Sequence, residues 1–159
     1  MLRKCILSTL SVMTMTMTMT MTMAITMAIS AHAAGEFGTA TEAKAMLDKT
    51  VIAVKANKAD ALAKVAKGEG GFKDRDLYPF CGGPDGNFTA HPTLTGKSMK
   101  DLKDKTGASM GEQMYTAASE GKVSEVGYMW PRPGTTEPVQ KVSYVTKIGD
   151  QVCAVGYYK

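Results

Sequence analysis

The sequence predicts an α+β fold in which helices pack on an antiparallel sheet. Three observations support this class. A long amphipathic helical pattern runs from residue 42 to residue 66, and a strand–turn–strand pattern follows at 77–91. After a second helical pattern at 111–120, three strand patterns follow one another up to residue 158. Helices at the start and middle of the chain, with adjacent strands elsewhere, are typical of α+β domains.

Residues 1–34 are predicted to be a signal peptide. Arg3 and Lys4 precede a long uncharged run, and small residues with A-x-A spacing follow at 31–34. The alternative is an uncleaved anchor, because the uncharged run is long enough to cross a bilayer, which takes about 20 residues. We favour cleavage, and therefore expect a periplasmic or secreted protein with a single domain at 35–159 and no further membrane span.

The charge pattern excludes several functions. The predicted signal peptide contains two basic residues and no acidic residue. After cleavage, the remaining chain therefore has a formal net charge of +2. Its charges are interspersed without a Lys/Arg block, so we expect no nucleic-acid partner. The sequence has no recognisably spaced Ser-His-Asp set, phosphate-binding glycine loop or metal-ligand cluster, so we expect no catalytic residues, cofactor or metal.

The first helix should begin after Thr39, because Thr39 and Glu42 have the spacing of a capping box. Apolar residues then recur at helical spacing as far as Val54. The polar stretch Asn57–Asp60 interrupts this pattern, so residues 61–66 form either a second helix or the same helix after a kink. Glycines from residue 68 onward should end it. One stripe of this helix is apolar and should pack on the sheet.

The first two strands should form a hairpin. Strand patterns at 77–81 and 88–91 flank the turn-rich segment 82–86, where proline, aspartate and glycine favour a loop. Pro92 lacks an N–H group and should end the second strand. The charged run 74–76 before the hairpin is predicted to be a solvated turn with a weak local ion pair.

The second half of the chain should add a helix and three strands. The helix is predicted at 111–120, with an apolar face that includes Met114. The strands are predicted at 123–130, 139–148 and 151–158, since these segments are rich in Val, Tyr and Thr. The rigid Pro-Arg-Pro-Gly segment after Trp130 should separate the first two of these strands.

Two cysteines, Cys81 and Cys153, remain after the leader is removed. A pair of cysteines in an exported protein is expected to form a disulfide, and the chain-entropy model gives such a long loop about 4 kcal/mol of stabilisation. The alternative is two buried free thiols. No C-x-x-C motif is present, so neither zinc binding nor thioredoxin-type redox chemistry is indicated.

Several short motifs occur in a characteristic order. They are Y-P-F-x4-D-G-x4-H-P from residue 78, Gly96, L-K-D-K-T-G at 102–107, Y-M-W-P-R-P-G at 128–134, Lys141 with S-Y-V at 143–145, and the closing V-G-Y-Y. Over roughly residues 39–158 the chain resembles the single Cache domain of type 2. This is a PAS-like extracytoplasmic sensing module of many bacterial chemoreceptors and sensor kinases.

The resemblance implies a specific architecture. It implies a long N-terminal helix packed on a five-stranded antiparallel sheet in the order 2-1-5-4-3, with a pocket for small organic molecules, often short carboxylates, on the opposite face. The first and fifth strands would then be neighbours. They carry Cys81 and Cys153, so the proposed disulfide becomes plausible in geometry.

The resemblance also directs attention to seven candidate ligand-binding residues. Aromatic and polar side chains suit small-molecule sites, and Lys141 would provide a cation for a ligand carboxylate. Strict strand alternation places Lys141 and Tyr144 on opposite faces, so both line one pocket only if a bulge intervenes. The candidates are Tyr78, His91, Tyr128, Trp130, Pro131, Lys141 and Tyr144.

We expect this protein to bind a small metabolite and to act in signal transduction such as chemotaxis. We expect it to act through a separate partner, because no further span or output segment follows the last strand. The partners that we expect are a membrane receptor or a second copy of the chain. One alternative hypothesis is an interaction or structural protein with a vestigial pocket. A small enzyme is the hypothesis that we favour least.

Overall fold

The computed structural model describes residues 35–159; the predicted signal peptide lies outside this range. The helices and strands, in chain order, are α1 (Ala40–Ala56), α2 (Lys58–Lys67), β1 (Pro79–Gly82), β2 (Phe88–Ala90), α3 (Met110–Ala117), β3 (Ser124–Pro131), β4 (Pro138–Ile148) and β5 (Gln151–Tyr158). The capping box at the start of α1 is confirmed, with both Thr39 and Glu42 taking part. Asn57 ends α1 and caps α2, so the polar interruption separates two helices.

The strands form one antiparallel sheet in the order β2-β1-β5-β4-β3, which confirms the expected topology. Cys81 on β1 lies directly opposite Cys153 on β5. Their Cα atoms are 4.1 Å apart and their sulfur atoms are bonded, so the predicted disulfide is present. This bridge joins two strands that are 72 residues apart in the chain, at the centre of the sheet.

The sheet has two different faces. The helix-packed face carries Cys81, Tyr144, Cys153 and Val155, and α1 and α2 cover it with apolar side chains such as Leu47. The cavity face carries Phe80, Tyr128, Lys141 and Ala154, and Met110 and Met114 of α3 pack on part of it. Most of the fold's apolar residues are buried on one of these two faces.

Some predicted boundaries and environments are wrong. Helix α3 ends at Ala117, three residues early, and β3 continues through Pro131 to pair with Pro138. A proline is tolerated there because β3 is an edge strand. The charged run before β1 is only in part as predicted. Asp74 and Arg75 form the expected local ion pair, but Asp76 is buried and hydrogen-bonded to Gly38 and Arg132, far away in the sequence.

The loop before α3 protects the free edge of the sheet. Asp104 accepts hydrogen bonds from the backbone N–H groups of Thr106, Ala108 and Met129, at 2.8, 3.0 and 2.9 Å. Burial would raise the pKa of Asp104, but a hydrogen bond from the Thr106 hydroxyl at 2.6 Å and these backbone hydrogen bonds outweigh it and lower the pKa to about 2. The loop is thereby fixed against β3, which carries one wall of the site described next.

Candidate functional site

A cavity of about 350 Å³ opens between the segment before β1, the loop after β2 and the end of β3. This volume lies at the small end of the range for ligand sites. Aromatic, proline and cationic side chains line it, and none of its lining residues is acidic. The lining residues are Lys73, Arg75, Tyr78, His91, Pro92, Thr93, Leu94, Trp130, Pro131, Arg132, Pro133 and Gly134.

A larger groove of about 580 Å³ lies between α1 and α2, on the other side of the molecule. Its charged residues, such as Asp48 and Lys64, are exposed to solvent. Lys49 donates a hydrogen bond to the carbonyl of Gly70 at 2.8 Å and is therefore already engaged. Since polar groups converge on the smaller cavity instead, we identify that cavity as the candidate site.

Tyr78 and Lys141 form the inner wall of the site. The ammonium group of Lys141 donates a hydrogen bond to the Tyr78 hydroxyl at 3.1 Å, and the Lys141 residue is only 1% exposed. Its nitrogen lies 4.3 Å from the Tyr78 ring centre and 4.6 Å from that of Tyr158. Tyr78 lines the cavity and Lys141 lies behind it, so Tyr78 stands between the ammonium group and the cavity.

A glycine on the neighbouring strand makes room for the buried lysine. A methyl group at Gly156 would overlap Cε of Lys141 and the Ser143 hydroxyl. Burial lowers the pKa of Lys141 to about 7; the negative charge of Asp76 partly opposes this effect and Arg132 adds to it. Lys141 therefore changes its charge near neutral pH, unlike a solvated lysine.

His91 is held as a neutral hydrogen-bond donor. Its Nδ1 accepts hydrogen bonds from the backbone N–H groups of Thr93 and Leu94, at 3.0 and 3.1 Å, so the proton of the neutral ring lies on Nε2. Within residues 35–159, Nε2 makes no hydrogen bond. Every fully buried side-chain nitrogen in that range has a hydrogen-bond partner, so Nε2 is not fully buried. Because His91 lines the cavity, Nε2 reaches the cavity. Burial, and then the charge of Lys141, lower the pKa of His91 to about 4.

Two arginines form the outer rim. Arg132 is paired with the buried carboxylate of Asp76, and its guanidinium lies 4.0 Å from the Phe37 ring centre. Arg75 bonds to Glu42 at 2.5 Å and has φ of 54°, a left-handed conformation that is uncommon for arginine. Such strained backbone is frequent at functional sites.

The other aromatic candidates are divided between wall and support. Trp130 and Pro131 line the cavity directly. Tyr128 lies deeper, where its hydroxyl is 2.8 Å from the Ser143 hydroxyl. Tyr158 donates a hydrogen bond to the carbonyl of Pro131 at 2.7 Å and so fixes the rim.

Tyr144 is not brought to the cavity. Strand β4 pairs with both neighbours without a shift in register, so no bulge places Tyr144 on the face of Lys141. Its ring instead stacks on Tyr157, with centres 5.8 Å apart, on the helix-packed face. Strand alternation, already visible in the sequence, was the better guide for this residue.

Four of the rim and support residues described above were missed in the sequence: Arg75, Asp76, Arg132 and Tyr158. The local pattern D-R-D is typical of a polar turn and did not indicate a buried carboxylate. Arg132 lay inside a recognised motif between two prolines, which was the available signal. Within residues 35–159, no group of three or more His, Cys, Asp or Glu side chains is arranged to hold a metal ion.

A five-stranded antiparallel sheet in the order β2-β1-β5-β4-β3, with α1 and α2 on one face and a small cavity beside α3 on the other, is a PAS-like architecture. A family model described as Cache domain (dCache_2) matches residues 18–158. The chain therefore belongs to the Cache domain family. The match begins inside the predicted signal peptide, which is not among the described residues.

Similar proteins include a receptor and two sensor domains. The methyl-accepting chemotaxis protein McpP of Pseudomonas putida is 34% identical over 56 residues, which are 35% of this chain and 10% of that protein's length. A "periplasmic sensor domain of chemotaxis protein" has a TM-score of 0.55 at 22% identity, covering 74% of this chain and 88% of that one.

The second solved structure concerns "carboxylic acid recognition by a Cache chemosensory domain". Its TM-score is 0.51 at 23% identity, and the alignment covers 74% of this chain and 86% of the other. At these identities the two structures support the fold alone. Among the described residues, none of the helices is both long enough and apolar enough to cross a membrane.

Proposed function

We propose that this protein is an extracytoplasmic sensor that binds a short organic acid in the cavity beside Tyr78. The observation that carries the proposal is the buried ammonium group of Lys141, which reaches the cavity wall through the Tyr78 hydroxyl. A buried cation without a bonded carboxylate favours an anionic ligand, and the cavity volume limits that ligand to a small one.

We further propose that the ligand carboxylate binds near Tyr78, His91 and Arg132, while Trp130 and Pro131 contact its apolar part. The Nε2–H group of His91 supplies a neutral donor. Tyr128 supports the wall from below. The carboxylic acid recognised by one structural relative makes this class of ligand the first to test.

The proposed setting is the periplasm or the cell exterior. The Cys81–Cys153 disulfide supports an oxidising compartment. The similarity to chemotaxis proteins supports a role in signal transduction, with a membrane receptor as the proposed partner. Binding without turnover is the proposed activity.

A thermal-shift screen of the purified protein against short organic acids and amino acids tests the proposal. A ligand at a hundred times its dissociation constant should add about 2.7 kcal/mol to the free energy of unfolding and raise Tm by several degrees. Trp130→Ala should abolish the shift, whereas Ile52→Ala, in the groove between α1 and α2, should retain it. A screen without any shift would contradict the proposal and favour a vestigial pocket.

A further inference from the structure

Lys141 cannot act as an ordinary surface cation. It is 1% exposed and is absent from the residues that line the cavity, whereas its hydrogen-bond partner Tyr78 lines it. The Tyr78 oxygen accepts the bond from Lys141, so the phenolic hydrogen remains available to donate elsewhere. Because Tyr78 lines the cavity, a ligand bound there can accept this hydrogen, in competition with the neighbouring hydroxyl oxygen of Tyr158, whose own hydrogen is donated to Pro131.

The charge of Lys141 is not cancelled by its surroundings. The titratable groups around it are Tyr78 and Asp76 before β1, His91 after β2, Tyr128 and Arg132 on and after β3, and Tyr158 on β5. Asp76 is the acid among them, and it is already bonded to Arg132 and to the backbone N–H of Gly38. Lys141 itself has Tyr78 as its hydrogen-bond partner within the described residues.

We propose that Lys141 is a positioning residue that acts on a bound carboxylate through the Tyr78 hydroxyl, and that anion binding is therefore coupled to protonation of Lys141. This inference rests on the proposed function. The ammonium group donates to the Tyr78 oxygen and polarises its O–H bond, which then donates to the ligand. A neutral lysine loses this effect, while direct donors such as His91 remain.

The expected pH dependence follows from linkage. The pKa of Lys141 in the free protein is lowered to about 7. An anion stabilises the charged form and raises that pKa, so binding takes up a proton above neutrality. Affinity should be highest below about pH 7 and should fall about tenfold per pH unit above it until the pKa of the complex is reached. His91 stays neutral over this range and does not add to the change.

The test is an NMR titration of the protein with isotope-labelled lysine side chains, with acetate as the probe and chloride at equal ionic strength as the control. One lysine signal, absent in Lys141→Met, should titrate near pH 7. Acetate should move its midpoint upward in the wild type but not in Tyr78→Phe. This result would support both the relay and the proton coupling.

Other outcomes would overturn the inference. A Lys141 signal that titrates above about pH 9, near the ordinary value for lysine, would remove its basis. An acetate shift that persists in Tyr78→Phe would show direct contact instead of a relay. If acetate leaves the titration midpoint of Lys141 unchanged, the proposed coupling is wrong. The thermal-shift screen then decides the wider proposal of an acid-binding site. That proposal stands if some acid stabilises the protein and fails if no acid does.

Discussion

The two faces of the sheet use buried side chains in different ways. On the helix-packed face, α1 and α2 cover a disulfide and apolar residues such as Leu47 and Val155, which favour the folded state. On the cavity face, a lysine and a histidine are buried with few partners. Buried polar groups of this kind cost stability unless they are fully paired. Both faces have an apolar cluster, but only the cavity face adds a buried lysine and histidine to it, and this is the face for which we propose a ligand.

Loss of the disulfide should produce the largest change in stability and the smallest in binding. The Cys81→Ala/Cys153→Ala variant should lose about 4 kcal/mol of unfolding free energy, because the bridge closes a long loop. Urea unfolding of the oxidised wild type and the variant measures this. Any acid found by thermal shift should bind the folded variant unchanged. A large loss of affinity would show that the two faces are not separate.

Lys141→Met should have the opposite effect to loss of the disulfide: it should raise stability and weaken binding. Burial disfavours the charged lysine, so an apolar side chain of similar size should stabilise the protein, by about 1–4 kcal/mol at neutral pH. The folded-state pKa is near 7 and the unfolded one near 10.5, so the wild type gains stability as the pH rises between them.

The difference between Lys141→Met and the wild type should therefore be greatest at about pH 7 and below, and should vanish near the unfolded pKa. Urea midpoints across this range give the comparison. A variant that is less stable at every pH would show that Lys141 is a structural residue.

Gly156→Ala should damage the cavity face through the lysine. The added methyl group overlaps Lys141 and Ser143, and such overpacking costs about 1–3 kcal/mol. Ligand affinity should fall with stability, because Lys141 moves away from Tyr78. Combining it with Lys141→Ala should restore part of the stability, since the overlap with Ser143 remains, but should not restore binding. If the double variant is as unstable as the sum of the two single ones, the overlap is not the cause.

His91 offers a smaller and more selective change. His91→Asn places an acceptor near the position of Nδ1, so it should keep the bonds from Thr93 and Leu94 and lose only the donor to the cavity. His91→Gln should keep the donor to the cavity and lose the bonds from Thr93 and Leu94, which should lower the free energy of unfolding by about 1–2 kcal/mol.

The pH response of these variants supplies a check. The pKa of folded His91 is about 4, below the unfolded value of 6.5, so its contribution is complete above pH 6.5 and is lost as the pH falls through 4. His91→Asn should lack this loss in acid unfolding curves. Equal stability and equal affinity in both variants would place His91 outside the site.

The sequence predicted much more of the fold than of the site. Hydrophobic spacing and the capping box located α1, and the family resemblance implied the sheet topology. The presence of two cysteines in a chain predicted to be exported indicated the Cys81–Cys153 disulfide. These signals are local or belong to the whole family. The site depends instead on distant contacts, such as Asp76 with Arg132, which no local pattern in the sequence displays. Tyr144 is a different case: strand alternation in the sequence already placed it on the face opposite Lys141, and the family resemblance wrongly added it to the candidate list.

The most direct test is calorimetric titration of the acid that gives the largest thermal shift, with wild type, Tyr78→Phe and Tyr144→Phe. Both substitutions remove one hydroxyl, but only Tyr78 lines the cavity. A charge-assisted hydrogen bond is worth about 1.5–3 kcal/mol, so Tyr78→Phe should bind at least about tenfold more weakly while Tyr144→Phe binds like the wild type. Equal affinities in all three proteins, or a loss confined to Tyr144→Phe, would contradict a ligand site on the cavity face.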